Sequence, residues 1–255
     1  MSTSASPTHR TPRNRIEVRN ARHEDIPAIA ELTTRAYQGT GLHGYSQGSL
    51  KGQLNNFPDG QFVVTADARV VGYCATFRVS EKVGLSPHKW EEITGNGYAS
   101  RHDPSGDWLY GMEVCVDPDY RGLRIGQRLY NERKKLCQTL GLKGIVFAGR
   151  LPTLSKRVKR FGTAEAYIEQ VVNTQQRDPV LSFQLRNGFE LLGLIPRYMD
   201  ADHQSMGYGV HLIWRNPKVP QEESAEQTKR YGGRLPDTIR VGTVQYMQRK
   251  VTSFE

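Results

Sequence analysis

The chain has 255 residues, 37 % of them hydrophobic, which is enough for one substantial domain with appendages. No apolar run is long enough to span a membrane and no charged-then-apolar leader opens the chain, so a cytoplasmic protein without membrane contact is expected. The net charge of +9 permits nucleic-acid contact without identifying it, and part of it lies in an arm carrying Arg10, Arg13, Arg15, Arg19 and Arg22.

Residues 1–14 are rich in Ser, Thr, Pro and Arg without apolar periodicity, which predicts a disordered arm. A short strand is expected at 16–19, then a helix with Ile26, Ile29, Ala30, Thr33 and Tyr37 on one face and Pro27 in its first turn. A Gly-rich stretch at 39–48 leads to a second helical region that ends before Pro58. Strands at 61–66 and 69–79 are joined by Asp67 and Ala68 as a hairpin. Residues 80–107 read as a long polar excursion holding His88, Trp90, Glu91, Glu92, His102 and Asp103. Its acidic groups would suit a cationic amine, although a plain solvated loop is the preferred reading, and its two histidines lack metal-ligand spacing.

Strand 108–116 then runs into Val114-Cys-Val-Asp-Pro-Asp-Tyr-Arg-Gly-Leu-Arg-Ile-Gly126. A glycine-flanked loop here opens directly into a helix with Ile125, Leu129, Leu136 and Leu140 on one face and Gly141 as its C-terminal cap. Such a loop aims backbone N–H groups at one place, where the helix dipole is positive, and Arg121 and Arg124 add charge; the place suits a phosphate or pyrophosphate. The spacing matches neither a Gly-Lys-Ser/Thr phosphate loop nor a Gly-x-Gly-x-x-Gly dinucleotide fingerprint. A strand follows at 144–148. Between it and a helix at about 179–187, started by Asp178-Pro179 and stopped by Gly188, lie a basic cluster (Lys156, Arg157, Lys159, Arg160) and an extra helix near 164–173 capped by Thr163. The cluster reads as a solvated loop or as a site for an acidic partner. Strands at 189–195 and 207–215 complete the pattern. Cys74, Cys115 and Cys137 show neither metal nor redox spacing and read as reduced core residues, so no metal is expected.

The strand followed by Val-x-Pro-x-x-Arg-Gly-x-x-Ile-Gly and a helix resembles the acyl-CoA motif of the GNAT N-acetyltransferases, and Phe183-Gln-Leu-Arg-Asn-Gly-Phe189 resembles that family's fourth helix. The resemblance implies an α/β fold: a mixed, twisted sheet with helices on both faces and the cofactor at a splay between central strands. It also implies acetyl transfer from acetyl-CoA to a small-molecule or peptide amine by direct attack. Val114 and Val116 would meet the pantetheine arm, and Arg121, Gly122, Leu123, Arg124, Ile125, Gly126 and Gln127 the pyrophosphate.

Three departures touch the chemistry. The tyrosine that many relatives use to protonate the thiolate aligns with Gln184, the usual cofactor-contacting Asn is replaced by Gly149 and Arg150, and Arg124 stands where Gly is frequent. The acid is left open among Tyr130, Tyr198 and Tyr208. Glu113, on the cofactor strand, is the candidate base; its alternative reading is a buried glutamate paired structurally with an arginine.

Residues 216–237 have linker composition, and Thr238-Ile-Arg-Val-Gly-Thr-Val-Gln-Tyr246 resembles the first strand of nitrilase-type carbon–nitrogen hydrolases. The expected organisation is therefore an arm at 1–14, a GNAT domain at 15–215, a linker at 216–237 and a stub at 238–255, as in bacterial fusions of the two domains. An extra strand on the GNAT sheet is the other reading of the stub. Two further functional readings stand beside acetyl transfer: an acyl-CoA-binding regulatory or scaffolding module for an attached hydrolase and, last, a nucleic-acid binder.

Overall fold

The computed structural model describes residues 15–220. The expected arm, most of the linker and the hydrolase-like stub lie outside the described residues. Seven strands form one mixed sheet: β1 (Ile16–Asn20), β2 (Gln61–Ala66), β3 (Arg69–Val79), β4 (Trp108–Val116), β5 (Gly144–Gly149), β6 (Glu190–Ile195) and β7 (Gly209–Arg215). Their spatial order is β1-β2-β3-β4-β5-β7-β6. Every neighbouring pair is antiparallel except β4 with β5, which run parallel. The β2–β3 hairpin turns through Asp67 and Ala68, both left-handed at φ 48° and 70°, the backbone that a tight two-residue hairpin demands.

Side chains alternate across a strand, and β3 shows what each face carries. Tyr73 points to one face, where its hydroxyl donates to Gln53 in α2 (Gln47–Asn56), beside α1 (Ile26–Tyr37). Gly72 and Cys74 point to the other, toward Ile125 and Leu129 of α5 (Ile125–Thr139). Helices thus cover both faces, as the family resemblance implies.

Two irregularities shape the centre of the sheet. Opposite β3, Ala75 pairs with Glu113 and Thr76 with Gly111, so Met112 is an extra residue that bulges β4. On the other side, β4 pairs with β5 only through Trp108, Leu109 and Tyr110. Beyond Tyr110 the two strands part, and the β4 edge from Gly111 to Val116 faces a gap. Arg133 of α5, almost fully buried, reaches the bulge and donates through Nη2 to the carbonyls of Ala75 (3.1 Å) and Glu113 (2.6 Å).

Several predicted elements need correction. Leu140 is exposed, because α5 ends at Thr139; Gly141 (φ +63°) reverses the chain and buries Leu142, whose amide returns to the Cys137 carbonyl at 3.0 Å. The buried seam of α5 is Ile125, Leu129, Tyr130, Arg133 and Cys137. The polar excursion contains α3 (Glu81–Leu85) and α4 (Trp90–Thr94). The basic cluster lies on a helix, α6 (Leu154–Phe161), which packs by Leu154, Val158 and Phe161 and leaves its cations outside. Next come α7 (Ala164–Val172), capped by Thr163 as expected, and α8 (Leu181–Arg186), which starts two residues later than Pro179 suggested.

Asp178 explains that late start. Its Oδ1 accepts from the amides of Val180 (3.0 Å) and Leu181 (3.1 Å), while Oδ2 accepts from the hydroxyls of Thr153 and Tyr167, both at 2.9 Å. One buried carboxylate therefore joins the β5–α6 connection, α7 and α8. Replacing Asp178 by Ala strands these donors, and we expect a loss of about 2–4 kcal/mol in denaturant unfolding. A change within about 0.5 kcal/mol, the usual range for a surface substitution, would contradict this role.

Candidate functional site

The loop after β4 is fixed from beneath. Buried Asp117 pairs with Arg35 of α1 at 3.2 Å and Arg69 of β3 at 3.4 Å, and accepts from the Asp119 amide at 3.0 Å; Arg35 also reaches Asp119 at 2.7 Å. From this anchor the chain passes through exposed Arg121, Gly122, Leu123 and Arg124 into α5. Gly122 (φ +87°) and Arg124 (φ +58°) adopt left-handed backbone, which turns successive amides toward one side; the loop's non-glycine left-handed residue is the arginine where relatives often carry glycine. The amides of Ile125, Gly126 and Gln127 open α5 and have no intrahelical acceptor. Ile125 is buried against Gly72, where any side chain would collide with it, so the helix start sits directly on the sheet. Gly126 lies against the Phe183 ring of α8, 3.1 Å from where a Cβ would stand, and the Gln127 side chain donates to Asn131 at 3.3 Å.

Val114 and Val116 are half-buried toward α5, on the part of β4 that has lost β5 as a partner. Across the gap, Gly149 ends β5 and packs on the Gln184 side-chain amide; a side chain at 149 would overlap it. Gln184 is buried, and its Oε1 has no hydrogen-bond partner among the described residues. Its amide is directed at the hydroxyl of Tyr130, whose ring lies edge-on to Phe147, Phe183 and Phe189. Burial pushes that hydroxyl up to about 12. Of the tyrosines left open by the sequence, Tyr130 therefore stands at Gln184, while Tyr198 lies on the other face, bonded to Tyr110 at 2.9 Å. Tyr208 is half-buried after the turn that precedes β7.

On the α1 face of the same gap stands Glu113. Its Oε2 accepts from the Tyr37 hydroxyl at 2.6 Å, and Tyr45 is a second hydroxyl neighbour. Burial raises its pKa above the usual carboxylate value, and Tyr37 and nearby Arg150 hold part of that rise back. Arg150 is committed elsewhere: Nε and Nη2 donate to the two carboxylate oxygens of Asp202 at 2.6 and 2.7 Å. Burial would raise Asp202, but the Arg150 fork and the Ser205 hydroxyl outweigh it and hold it low. Among the described residues no ion pair within 4 Å joins the Glu113 carboxyl group to an arginine; its hydrogen-bonding neighbours are hydroxyls. Tyr37, Tyr45, Arg150 and Asp202 escaped the sequence as a site because they are brought together across long separations, 76 residues from Tyr37 to Glu113.

The histidines of the excursion are separated in role. His88 bonds Tyr110, whereas His102 stacks on Phe57 at 4.6 Å and accepts from the Arg78 amide. Among the described residues no group of three or more His, Cys, Asp or Glu could hold a metal ion, and no helix is long and apolar enough to cross a membrane.

Comparison with known proteins bears on the family and the fold. The profile of the Acetyltransferase (GNAT) family matches residues 26–161. The chain is 37 % identical over 242 residues to the probable hydrolase YhcX of Bacillus subtilis, covering 94 % of this chain but only 45 % of that protein. It is 31 % identical over 203 residues to the uncharacterized N-acetyltransferase YkwB of the same organism, covering 79 % of this chain and 89 % of YkwB. Of solved structures, the GphF GNAT-like decarboxylase in complex with isobutyryl-CoA aligns with a TM-score of 0.68 and 26 % identity over 78 % of this chain and 99 % of that one. The loading GNATL domain of CurA from Lyngbya majuscula aligns at 0.66 with 19 % identity over 80 % and 98 %, which shows the shared fold alone.

The raised carboxyl of Glu113 has a measurable consequence. A carboxyl whose folded pKa exceeds its unfolded value contributes stability fully below the unfolded value and loses it as pH rises through the folded one. A Glu113→Gln variant stays neutral and escapes that loss. We expect the variant and parent to match near pH 4 in denaturant unfolding, with the variant progressively more stable toward about pH 8. A gap that is constant with pH would contradict the assignment.

Proposed function

This chain belongs to the GNAT acetyltransferase family, and from that premise we propose that it transfers an acetyl group from acetyl-CoA to an amine by direct attack. The observation that carries the reading is the arrangement at the splay. An unpartnered strand edge leads straight to the exposed amides and arginines of residues 121–127, and a buried carboxyl group lies across the same strand. The edge at Val114 and Val116 offers backbone groups to the amide-bearing arm of CoA. The loop amides, with Arg121 and Arg124, hold its pyrophosphate.

An amine must be neutral to attack a thioester, and Glu113 is the group that takes its proton. A carboxylate raised by burial is a stronger base than one in water. Cys115 lies beside it but is buried, which pushes its thiol far above the usual range, so it is not the thiolate that a covalent intermediate needs. Gln184 has no proton to give, and the CoA thiolate, with a pKa of about 8.5, departs largely unaided. The acceptor is a small-molecule or peptide amine; the neutral hydroxyls around Glu113 offer no surface for a polyanion. Free, buried Cys74, Cys115 and Cys137 support a reducing compartment such as the cytoplasm. YhcX, a probable hydrolase more than twice as long as this chain, supports an attached or associated hydrolase as partner, of the carbon–nitrogen class that residues 238–246 resemble.

One observation favours a second reading. Decarboxylation of an acyl-CoA that carries a second carboxylate leaves the thioester intact, so it needs no acid for the thiolate, and Gln184 is then no handicap. The 26 % identity to the GphF decarboxylase over nearly its whole chain supports this alternative, with Glu113 in its protonated form as the proton donor to carbon.

Calorimetric titration with acetyl-CoA, beside Gly126→Glu and Arg121→Ala, tests the cofactor site. We expect saturable binding by the parent, weakened about tenfold or more (1.4 kcal/mol) in folded variants. An amine panel scored by free-thiol release, and malonyl-CoA scored by carbon dioxide with the thioester retained, then separate the two readings. No binding by the folded parent would overturn both.

A further inference from the structure

Beneath the acceptor face lies a series of hydrogen-bonded side chains that the proposed transfer has not used. His88 Nδ1 lies 2.7 Å from the Ser86 carbonyl, which can only accept, so this nitrogen carries the ring hydrogen. The other nitrogen, Nε2, is then a lone pair, and the Tyr110 hydroxyl 2.9 Å away donates to it. Having spent its only hydrogen there, Tyr110 accepts from Tyr198, again at 2.9 Å. One backbone carbonyl thus sets the sense of all three bonds, and the remaining acceptor capacity of the series is on Tyr198 Oη.

The series begins next to Glu113. Phe77 pairs with Tyr110 and Ala75 with Glu113 across β3, and residues two apart on a strand share a face, so Tyr110 and Glu113 project to the same side. Tyr198 is close enough to Glu113 for the carboxylate to raise its hydroxyl pKa. Tyr110 is also the last β4 residue paired with β5, at the point where the splay opens. Both tyrosines are buried, and His88, half-buried, is the end nearer solvent.

The overall chemistry leaves a second proton to place. An ammonium becomes an amide only by losing two protons from nitrogen, and one carboxylate takes one. We propose that Tyr198, Tyr110 and His88 are the relay for the second proton. This rests on the acetyl-transfer reading. Glu113 removes the first proton; the neutral amine attacks the thioester carbonyl and the nitrogen becomes positive. Its proton then passes to Tyr198 Oη, the Tyr198 proton to Tyr110 Oη and the Tyr110 proton to His88 Nε2, leaving an imidazolium. The oxyanion re-forms the carbonyl, the carbon–sulfur bond breaks with its electron pair on sulfur, and His88 returns its proton to the thiolate or to solvent.

The groups facing His88 fit a neutral resting state. From β7, His211 stands edge-on at 5.6 Å, its Nε2 bonded to the Gly84 carbonyl at 3.0 Å. Burial and the neighbouring His88 hold His211 down at about 4, so the two rings do not share a pair of charges. From α4, Glu92 is a nearby carboxylate, but enclosure outweighs it and His88 titrates below its ordinary value. Lys89 is drawn to Asp200 at 3.9 Å, and Glu91 lies on the Tyr198 side.

The test uses the parent and the variants His88→Gln, Tyr110→Phe, Tyr198→Phe and Tyr198→Phe/His88→Gln, with acetyl-CoA and the best amine from the panel. Each single variant is expected to lower kcat about 100-fold with little change in KM for acetyl-CoA. The double variant should be no slower than either single. The part of the parent's acid limb in which protonation fills His88 Nε2 should be lost in His88→Gln, leaving the part that reports protonation of Glu113. Rates of the parent in mixtures of H2O and D2O should follow a bowed curve, as for several protons in flight, and this needs no variant to fold. Additive losses, an unchanged acid limb or a straight isotope plot would overturn the relay. A parent that acetylates no amine overturns the transfer reading itself, and the relay with it.

Discussion

Backbone amides and carbonyls that lose a strand partner must find another, because leaving one buried and unpaired costs about 1–3 kcal/mol. The separation of β4 from β5 after Tyr110 creates that problem at the centre of the sheet. The bulge at Met112 adds to it, since one residue of β4 is left without a counterpart on β3. Arg133 meets part of the demand by sending its guanidinium from α5 to the carbonyls on both sides of the bulge. The edge of β4 that continues toward Val116 is left available to a ligand with amide groups of its own. Splay, bulge and buried arginine are thus one device, and both proposed halves of the site are built around it.

The two faces of that device differ in electrical character. On the α5 side the helix N-terminus, Arg121 and Arg124 present positive potential to solvent, which suits a phosphorylated ligand. On the α1 side the charges are either cancelled or suppressed. Arg150 is bound by Asp202, the two histidines are held neutral, and Glu113 is raised by burial. A neutral, hydroxyl-lined face lets one carboxyl group decide the protonation chemistry there, and it separates that chemistry from the anionic end of the donor.

Much of this was legible in the sequence because it is local. The strands at 61–66, 69–79 and 108–116 and the Asp67-Ala68 turn follow from alternation and turn chemistry over a few residues, and the observed bounds coincide with them. The exposed turn at 121–124 that runs into α5 was legible for the same reason. The basic cluster at 156–160 was misread as loop because its charges obscured a helical stripe of Leu154, Val158 and Phe161. Leu140 was misplaced because a left-handed Gly141 ends the apolar face early and hands its role to Leu142. What surrounds Glu113 was not legible at all. Tyr37, Arg150 and the β6–β7 connection that carries Tyr198 and Asp202 come from separate parts of the chain, and no spacing in a single sequence announces that a sheet will bring them together.

The central claim is that the parted edge of β4 and the loop that follows it receive the donor. Amide hydrogen exchange of the chain with and without acetyl-CoA tests this most directly, because it reads those backbone groups themselves. The account predicts slowed exchange confined to residues 113–116 and 121–127, with β1 and β2 unchanged. Uniform protection, or protection that leaves both of those segments exchanging as before, would contradict it.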